Sequence, residues 1–250
     1  MGNILQLKYT HEEIIEKRAQ VAELLLLRSS HVKSPDITTI GNPDLRLLFE
    51  IYDEVFFGNW FKECFPGTLL FSFSRRMTKS AGKTYYPRDA DPTQPGNLII
   101  EVKISIDLIF AYGAVDKTNR IGGIPAQSSL EALQLVFEHE LIHVIEFIHF
   151  QNSSCKQTRF KSLAFNLFSH TESYHCLPTR QEIAREKLGL TIGDLVVFPL
   201  EGRVMAGVLH AIHKRAVVMV PDNKGAYVDK QGQRYTKYYV PLRMLDKKGL

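Results

Sequence analysis

Apolar and polar positions follow a helical spacing through much of the first 150 residues. Residues 10–28 show this spacing behind a capping sequence that starts at Thr10. A second amphipathic stretch follows Asp44 and stops at Gly58, a residue type that commonly ends helices. A third and longer stretch starts at Ser128, a favourable N-cap, and continues to about Phe150. The pattern predicts a helix in each of these stretches.

Alternation of apolar and polar residues, which is typical of β-strands, occurs elsewhere. It covers Leu69–Ser74 and Leu98–Ile106, and short β-rich runs separated by turn residues fill the chain from Leu190 onward. This arrangement predicts an α+β fold followed by a small all-β barrel. The expected organisation is a helix and linker over residues 1–40, a larger α+β domain over residues 41–180, and a β-barrel module over residues 190–250.

Composition agrees with a folded protein rather than a disordered or fibrous one. The 250 residues are 44% hydrophobic and 23% charged. No stretch approaches the ~18 consecutive apolar residues of a membrane span, and the first residues do not resemble a secretory leader. A cytoplasmic location without a membrane partner is therefore expected. The three cysteines lack C-x-x-C spacing, which argues against a disulfide framework and a four-cysteine zinc site.

Charge is distributed unevenly along the chain. The whole sequence has 31 Lys plus Arg and 27 Asp plus Glu, a net charge of +4. Residues 190–250 alone have 10 basic and 5 acidic side chains, a net charge of +5. A local excess of this kind favours contact with nucleic acid, so the predicted barrel is a candidate for DNA contact. The sequence does not specify an oligomeric state.

The sequence His-Glu-Leu-Ile-His at residues 139–143 is the strongest chemical motif. On a helix, residues four apart lie about 40° apart on one face, so His139 and His143 can bind one metal ion together. Neutral imidazoles suit Zn²⁺, and Glu140 can take a proton from a water molecule activated by the metal. The motif therefore predicts a hydrolytic zinc site with Glu140 as the catalytic base.

A catalytic zinc site needs a third protein ligand, and several residues could supply it. His149 points away from the His139 direction on a continuous helix. His170 and His175 follow the next helix and could fold back to the site, and Cys155 lies just before that helix. His170 is the first choice and Cys155 is the alternative. Glu146 shares the face of the two histidines and is expected to orient one of them rather than bind the metal.

Several segments resemble the SprT-like family of zinc metalloproteases. The resemblance covers about residues 40 to 176. It is carried by Phe56-Phe57-Gly58-Asn59, Ser74-Arg75-Arg76, Ala81-Gly82-Lys83-Thr84, the strand from Leu98 to Ser105, and the His-Glu-Leu-Ile-His motif. The C-terminal part resembles the small SH3-like barrels that follow this domain in some bacterial members, with Gly193-Asp194-Leu195-Val196 as the first strand and Tyr239-Val240-Pro241 near the last.

This resemblance implies a zincin-type metalloprotease domain that hydrolyses protein or peptide substrates, in some members proteins crosslinked to DNA. It assigns zinc binding to His139 and His143 and the role of general base to Glu140. One departure concerns the third ligand, because Lys156 stands where the family commonly has histidine. An alternative function is a non-catalytic binding protein whose basic barrel contacts nucleic acid or a protein partner.

Overall fold

The computed structural model describes residues 3–78, 80–87, 95–116 and 119–248. The chain is a mixed α+β protein, as the sequence predicts at this level. It divides into two compact units, and the division falls between Leu177 and Pro178. No helix in the described parts of the chain is both long enough and apolar enough to cross a membrane.

The first unit contains six helices among its described residues, and two of the predicted helix starts are confirmed. These helices are α1 (His11–Arg28), α2 (Asn42–Phe57), α3 (Trp60–Cys64), α4 (Ile106–Phe110), α5 (Ser129–Phe150) and α6 (Thr158–Phe168). Thr10 and Glu13 form the capping box of α1, and the Ser128 side chain accepts a hydrogen bond from the Glu131 amide to cap α5. The second helix begins slightly earlier than predicted, because Asp44 lies inside its first turn and Gly41 is the N-cap.

A three-stranded sheet lies in the same unit. Its strands are β1 (Thr68–Ser74), β2 (Gly82–Tyr85) and β3 (Ile99–Ser105), in the order β1-β3-β2. β1 is parallel to β3 and β2 is antiparallel to it, so β2 forms an edge. The buried side chains of β3, which include Val102 and Ile104, belong to the same core as α5. A short antiparallel hairpin is formed by β4 (Arg120–Ile121) and β5 (Ile124–Pro125).

The first 40 residues contain α1 and belong to the same compact unit as the residues up to Leu177. Val21 and Leu25 of α1 are fully buried, and Val32 and Ile37 of the following segment are buried in the same core cluster. The apolar stripe of an amphipathic helix must be covered by another element, and here α1 packs against α2 and α5. The N-terminal segment therefore belongs to the unit that contains α5.

The second unit has one helix and six strands among its described residues. They are α7 (Arg180–Leu188), β6 (Leu195–Leu200), β7 (Arg203–Ile212), β8 (Ala216–Pro221), β9 (Tyr227–Val228), β10 (Arg234–Val240) and β11 (Asp246–Lys247). The paired strands are antiparallel, in the order β11-β6-β7-β8-β10-β9. In the described residues no pairing joins β9 to β11, so the sheet is not a hydrogen-bonded closed barrel. α7 belongs to this unit because Ala184 packs in its core.

Candidate metal centre

Helix α5 places two histidines side by side on one face. The rings of His139 and His143 have centroids 5.0 Å apart and planes inclined by 69°. Both rings pack against Phe160 of α6, at centroid distances of 4.9 and 4.5 Å. The opposite side of this part of α5 is made of fully buried apolar residues, including Phe137 and Leu141. Core packing therefore fixes the helix, and the fixed helix presents the two imidazoles together.

Cys155 completes a group of three side chains that could hold a metal ion. α5 ends at Phe150, and its C-cap Gln151, with a φ of +52°, turns the chain out of the helix. The short segment before α6 then brings Cys155 back to the histidines. One ligand atom from each of His139, His143 and Cys155 lies within 4.8 Å of the others. Among the described residues this is the one such group of three or more His, Cys, Asp or Glu side chains.

His170, the first choice for the third ligand in the sequence, is directed to a different partner. Its Nε2 lies 2.9 Å from Oε2 of Glu138, and both side chains are completely buried. Glu138 precedes His139 in α5, so it projects about 100° away from the face that presents His139 and His143. The structure thus brings Cys155, and not His170, into the group with His139 and His143. Lys156 is exposed and does not belong to that group.

Glu138, to which no motif of the sequence points, is a buried carboxylate with partners from three other segments of the first unit. Arg18 of α1 donates two hydrogen bonds to it, each 2.8 Å long, and the hydroxyl of Tyr52 in α2 donates a third of the same length. Burial raises the pKa of Glu138, but the Arg18 charge and the hydrogen bonds from His170 and Arg18 hold this pKa below its ordinary value. Through these contacts Glu138 connects α1, α2 and the segment after α6 to α5, the helix that carries the histidines.

Glu146 reaches His143 through a serine. Ser153 Oγ lies 2.7 Å from Nδ1 of His143 and donates a 2.6 Å hydrogen bond to Oε2 of Glu146. Arg159 donates to the other oxygen of Glu146 at 2.8 Å, which pairs this fully buried carboxylate. Because the Ser153 hydroxyl donates its hydrogen to Glu146, its oxygen can accept a hydrogen bond from Nδ1–H of His143. In this tautomer Nε2 of His143 is unprotonated, and its lone pair is available for a metal ion. The sequence predicts an orienting role for Glu146, and the structure adds Ser153 to it.

A Ser153→Ala variant should weaken zinc binding about 10- to 100-fold, because groups that orient a ligand histidine typically contribute this much. The variant removes the hydrogen bond to His143 without touching a member of the metal group. The measurement is competition with a chromophoric chelator, with Ser162→Ala as the control because Ser162 lies on the exposed side of α6. Equal zinc affinities in the wild type and Ser153→Ala would contradict the orienting role.

Glu140 is held against the edge strand β2. Its Oε2 accepts a 2.7 Å hydrogen bond from the Thr84 hydroxyl, and the side chain is 4% exposed. Burial raises the pKa of this carboxyl to about 7, although the hydrogen bonds from Thr84 lower it. Gly82 makes the close approach possible, because a Cβ at that position would lie 2.5 Å from Oε1 of Glu140.

The two histidines are neutral at physiological pH. The pKa of His139 is lowered to about 3, first by burial and then by the positive charges of neighbouring histidines. The pKa of His143 is lowered to about 4 by burial, against an opposing effect of Glu146. Neutral imidazole is the form that binds transition metals.

These side chains line one open cleft of about 660 Å³. Its walls include β2, the middle of α5 and the segment around His175, with Cys155 and Ser153 on one side. His149, the other histidine of α5 considered as a ligand, is exposed and packs against Trp60 with ring centroids 5.5 Å apart. The cleft therefore combines two nitrogen donors, one sulfur donor and a buried carboxyl with a raised pKa, next to open space for a substrate.

Comparisons of the chain with protein-family models, with curated proteins and with solved structures found no match.

Proposed function

We propose that this chain is a zinc-dependent metallopeptidase of the SprT-like kind, with a zincin-type first unit and an SH3-like second unit. The observation that carries the proposal is the convergence of His139, His143, Cys155 and Glu140 in one cleft. Three of these side chains are suited to bind the metal and the fourth to move a proton. This division of roles is the one that the His-Glu-Leu-Ile-His motif predicts.

The donor set fits a catalytic zinc ion. Zinc prefers imidazole nitrogen and thiolate sulfur, and catalytic zinc sites typically have three protein ligands and leave a fourth position open. His139, His143 and Cys155 would hold the ion, with Ser153 and Glu146 fixing the orientation of His143. When bound, zinc would polarise a water molecule and lower its pKa towards neutrality.

The protein residues then account for the proton transfers of peptide hydrolysis. Glu140 accepts a proton from the attacking water, whose oxygen forms a bond to the carbonyl carbon of the peptide. Glu140 passes this proton to the peptide nitrogen as the carbon–nitrogen bond breaks, so the products are a carboxylic acid and an amine. Glu140 suits both steps because it directly follows a proposed ligand histidine and lines the same cleft, where its carboxylate can accept and release a proton.

The position of the cleft supports a polypeptide substrate. β2 forms one wall of the cleft and is an edge strand of its sheet in the described residues. An extended peptide can add to such an edge through main-chain hydrogen bonds, largely independently of its sequence. Its scissile bond would then pass beside Glu140, which contacts β2 through Thr84.

Zinc analysis of the purified protein tests the proposal directly. We expect about one zinc ion per wild-type chain after dialysis against a weak chelator, and loss of this zinc in His143→Ala and in Cys155→Ala, since each removes one of three ligands. Matched controls are His149→Ala, an exposed histidine on the same helix, and Cys64→Ser, an exposed cysteine on α3. Both controls should keep the zinc ion.

His170→Ala separates the two candidates for the third ligand. This variant is expected to keep zinc and to lose thermal stability, because it removes a partner of the buried Glu138. Zinc retained in Cys155→Ala and lost in His170→Ala would instead assign the third position to His170.

A wild-type chain without zinc would contradict the proposal and favour the non-catalytic alternative. The candidate surface for that alternative lies on the second unit, where Tyr227 and Tyr239 are 45% and 61% exposed. Lys237 lies between them on β10, with its Nζ 4.2 Å from the centre of the Tyr227 ring. Exposed aromatic rings beside a cation are suited to nucleic-acid contact.

A further inference from the structure

His175 lines the catalytic cleft without belonging to the metal-binding group. It lies between α6 and α7, where the chain passes beside the β4–β5 hairpin. Its backbone forms a β-bridge with Ile121, and the Cys176 amide donates a 2.7 Å hydrogen bond to the Arg120 carbonyl. The Gly122 amide donates to the Tyr174 carbonyl at 3.0 Å. These bonds on both sides of His175 fix its position relative to the cleft.

A backbone hydrogen bond selects the tautomer of the His175 ring. The amide of Ala81, the residue before β2, lies 2.9 Å from Nε2. A backbone amide can only donate, so Nε2 accepts and the proton of the neutral ring is on Nδ1. Burial lowers the pKa of His175, which favours the neutral ring. No described residue accepts a hydrogen bond from this Nδ1–H.

A donor without an acceptor at the edge of a reaction cleft is suited to stabilise negative charge that develops during the reaction. The hydrogen bond from Ala81 draws electron density towards Nε2 and thereby makes Nδ1–H a stronger donor. His175 also lines the same cleft as His139 and His143. The donor therefore lies in the electrostatic neighbourhood of the proposed zinc ligands.

We propose that His175 is a further catalytic residue, whose Nδ1–H donates a hydrogen bond to the carbonyl oxygen of the scissile peptide as this oxygen becomes negative. This inference rests on the proposed peptidase function. Charge on the oxygen grows as the attacking water adds to the carbonyl carbon, so the hydrogen bond strengthens towards the transition state and acts mainly on kcat. Loss of one such donor typically lowers kcat about 10²- to 10³-fold.

Two conservative variants distinguish this role from a structural one. In His175→Asn, the side-chain amide NH₂ can occupy the place of Nδ1–H, but the side chain is too short to keep the contact with Ala81. In His175→Gln, the longer side chain can accept from the Ala81 amide, but it has no donor at the Nδ1 position. A catalytic role therefore predicts that Asn restores activity better than Gln, and a role limited to holding Ala81 predicts the reverse order.

The experiment measures kcat and KM for a fluorescent casein with the zinc-loaded full chain, beside zinc content and thermal unfolding. We expect His175→Ala and His175→Gln to lose about 10²-fold or more in kcat with KM little changed, and His175→Asn to recover part of the loss. All three should keep zinc, since His175 is not a ligand. His149→Ala is the control for loss of an imidazole outside the cleft.

A readout independent of turnover is the tautomer of His175, measured by long-range ¹H–¹⁵N NMR correlation in the zinc-loaded Glu140→Gln protein. We expect Nδ1–H with Nε2 unprotonated. An Nε2–H tautomer, or kcat within about twofold of wild type in His175→Gln, would overturn the inference while leaving the peptidase proposal in place. A wild-type chain that neither binds zinc nor cleaves casein would contradict both the peptidase proposal and the role of His175.

Discussion

Replacing Glu140 by glutamine is expected to lower peptide-bond hydrolysis by about 10²- to 10⁴-fold, the range that general acid–base catalysis contributes. Glutamine keeps the size of the side chain and can still accept the hydrogen bond from Thr84. It cannot take up a proton from water. Zinc content should stay at the wild-type value because Glu140 is outside the group formed by His139, His143 and Cys155.

The same substitution should stabilise the metal-free protein at alkaline pH. The pKa of Glu140 is raised from 4.5 to about 7 by burial, so the folded state binds the proton more tightly than the unfolded state does. Protonated Glu140 therefore contributes to the free energy of unfolding. This contribution is complete below about pH 4.5, the pKa in the unfolded state, and is lost as the pH rises to about 7, the pKa in the folded state. Glutamine does not titrate, and Glu140→Gln should therefore be the more stable protein at pH 8 in the presence of a chelator.

Urea unfolding at pH 5 and pH 8 measures this effect, with Glu50→Gln as the control. Glu50 is an exposed helical glutamate that pairs with Arg46 on the same helix, so its replacement should change stability little at either pH. A glutamate with a purely structural role would show the opposite result for Glu140→Gln, namely lower stability and unchanged hydrolysis. That result would remove the assignment of Glu140 as the base.

The sequence predicts α5, the helix that carries His139 and His143, well because the signals for this helix are local. Ser128 caps the helix through an amide three residues away, and the histidines are four residues apart within one regular element. Helical geometry alone then places His139 and His143 on one face. The capping sequence of α1 is confirmed for the same reason.

The third ligand depends on structure that local patterns do not encode. Two features decide whether Cys155 or His170 lies beside His139 and His143. The turn at Gln151 brings Cys155 close to them, and the hydrogen bond to Glu138 holds the His170 ring elsewhere. The spacing of Glu138 and His170 in the sequence does not specify this hydrogen bond. One sequence signal was available, because an acidic residue directly before His139 lies where the helix is otherwise apolar, and such a residue must be paired if it is buried.

The role of Gly82 could not be deduced from the sequence either. In the sequence Gly82 is simply part of a segment that resembles the SprT-like family. In the structure it is the position where β2 approaches Glu140 so closely that a Cβ would lie 2.5 Å from the carboxylate. Such a requirement comes from the packing of two elements that are 58 residues apart in the chain.

Replacing Arg18 by methionine is expected to destabilise the first unit by about 3–5 kcal/mol, the cost of leaving a buried carboxylate without its cationic partner. Arg18 is 8% exposed and Glu138 is completely buried. Methionine keeps the apolar stem of the side chain but removes both 2.8 Å hydrogen bonds to the carboxylate. Trp60 is the single tryptophan of the chain and lies in the first unit, so its fluorescence during urea unfolding reports the stability of that unit.

Arg28→Met is a matched control on the same helix. Arg28 pairs with Glu54 at 2.8 Å, but the two side chains are 40% and 47% exposed. An exposed ion pair of this kind contributes about 0–1 kcal/mol because water screens both charges. A loss in Arg18→Met no larger than the loss in Arg28→Met would contradict the view that Glu138 organises the helix that carries the histidines.

The pH dependence and a double variant identify the unpaired charge as the cause. In the wild type the pKa of Glu138 is held below 4.5, so the stability from its ionised form is present at neutral pH and is lost as the pH falls below that value. In Arg18→Met the Arg18 charge no longer opposes the effect of burial, so the pKa of Glu138 rises. At low pH the Glu138 carboxyl is then protonated, and the cost of burying an unpaired charge disappears. The stability difference between the two proteins should therefore be largest near pH 7 and narrow towards pH 4.5.

Adding Glu138→Gln to Arg18→Met should recover much of the lost stability, because the second substitution removes the charge that the first leaves unpaired.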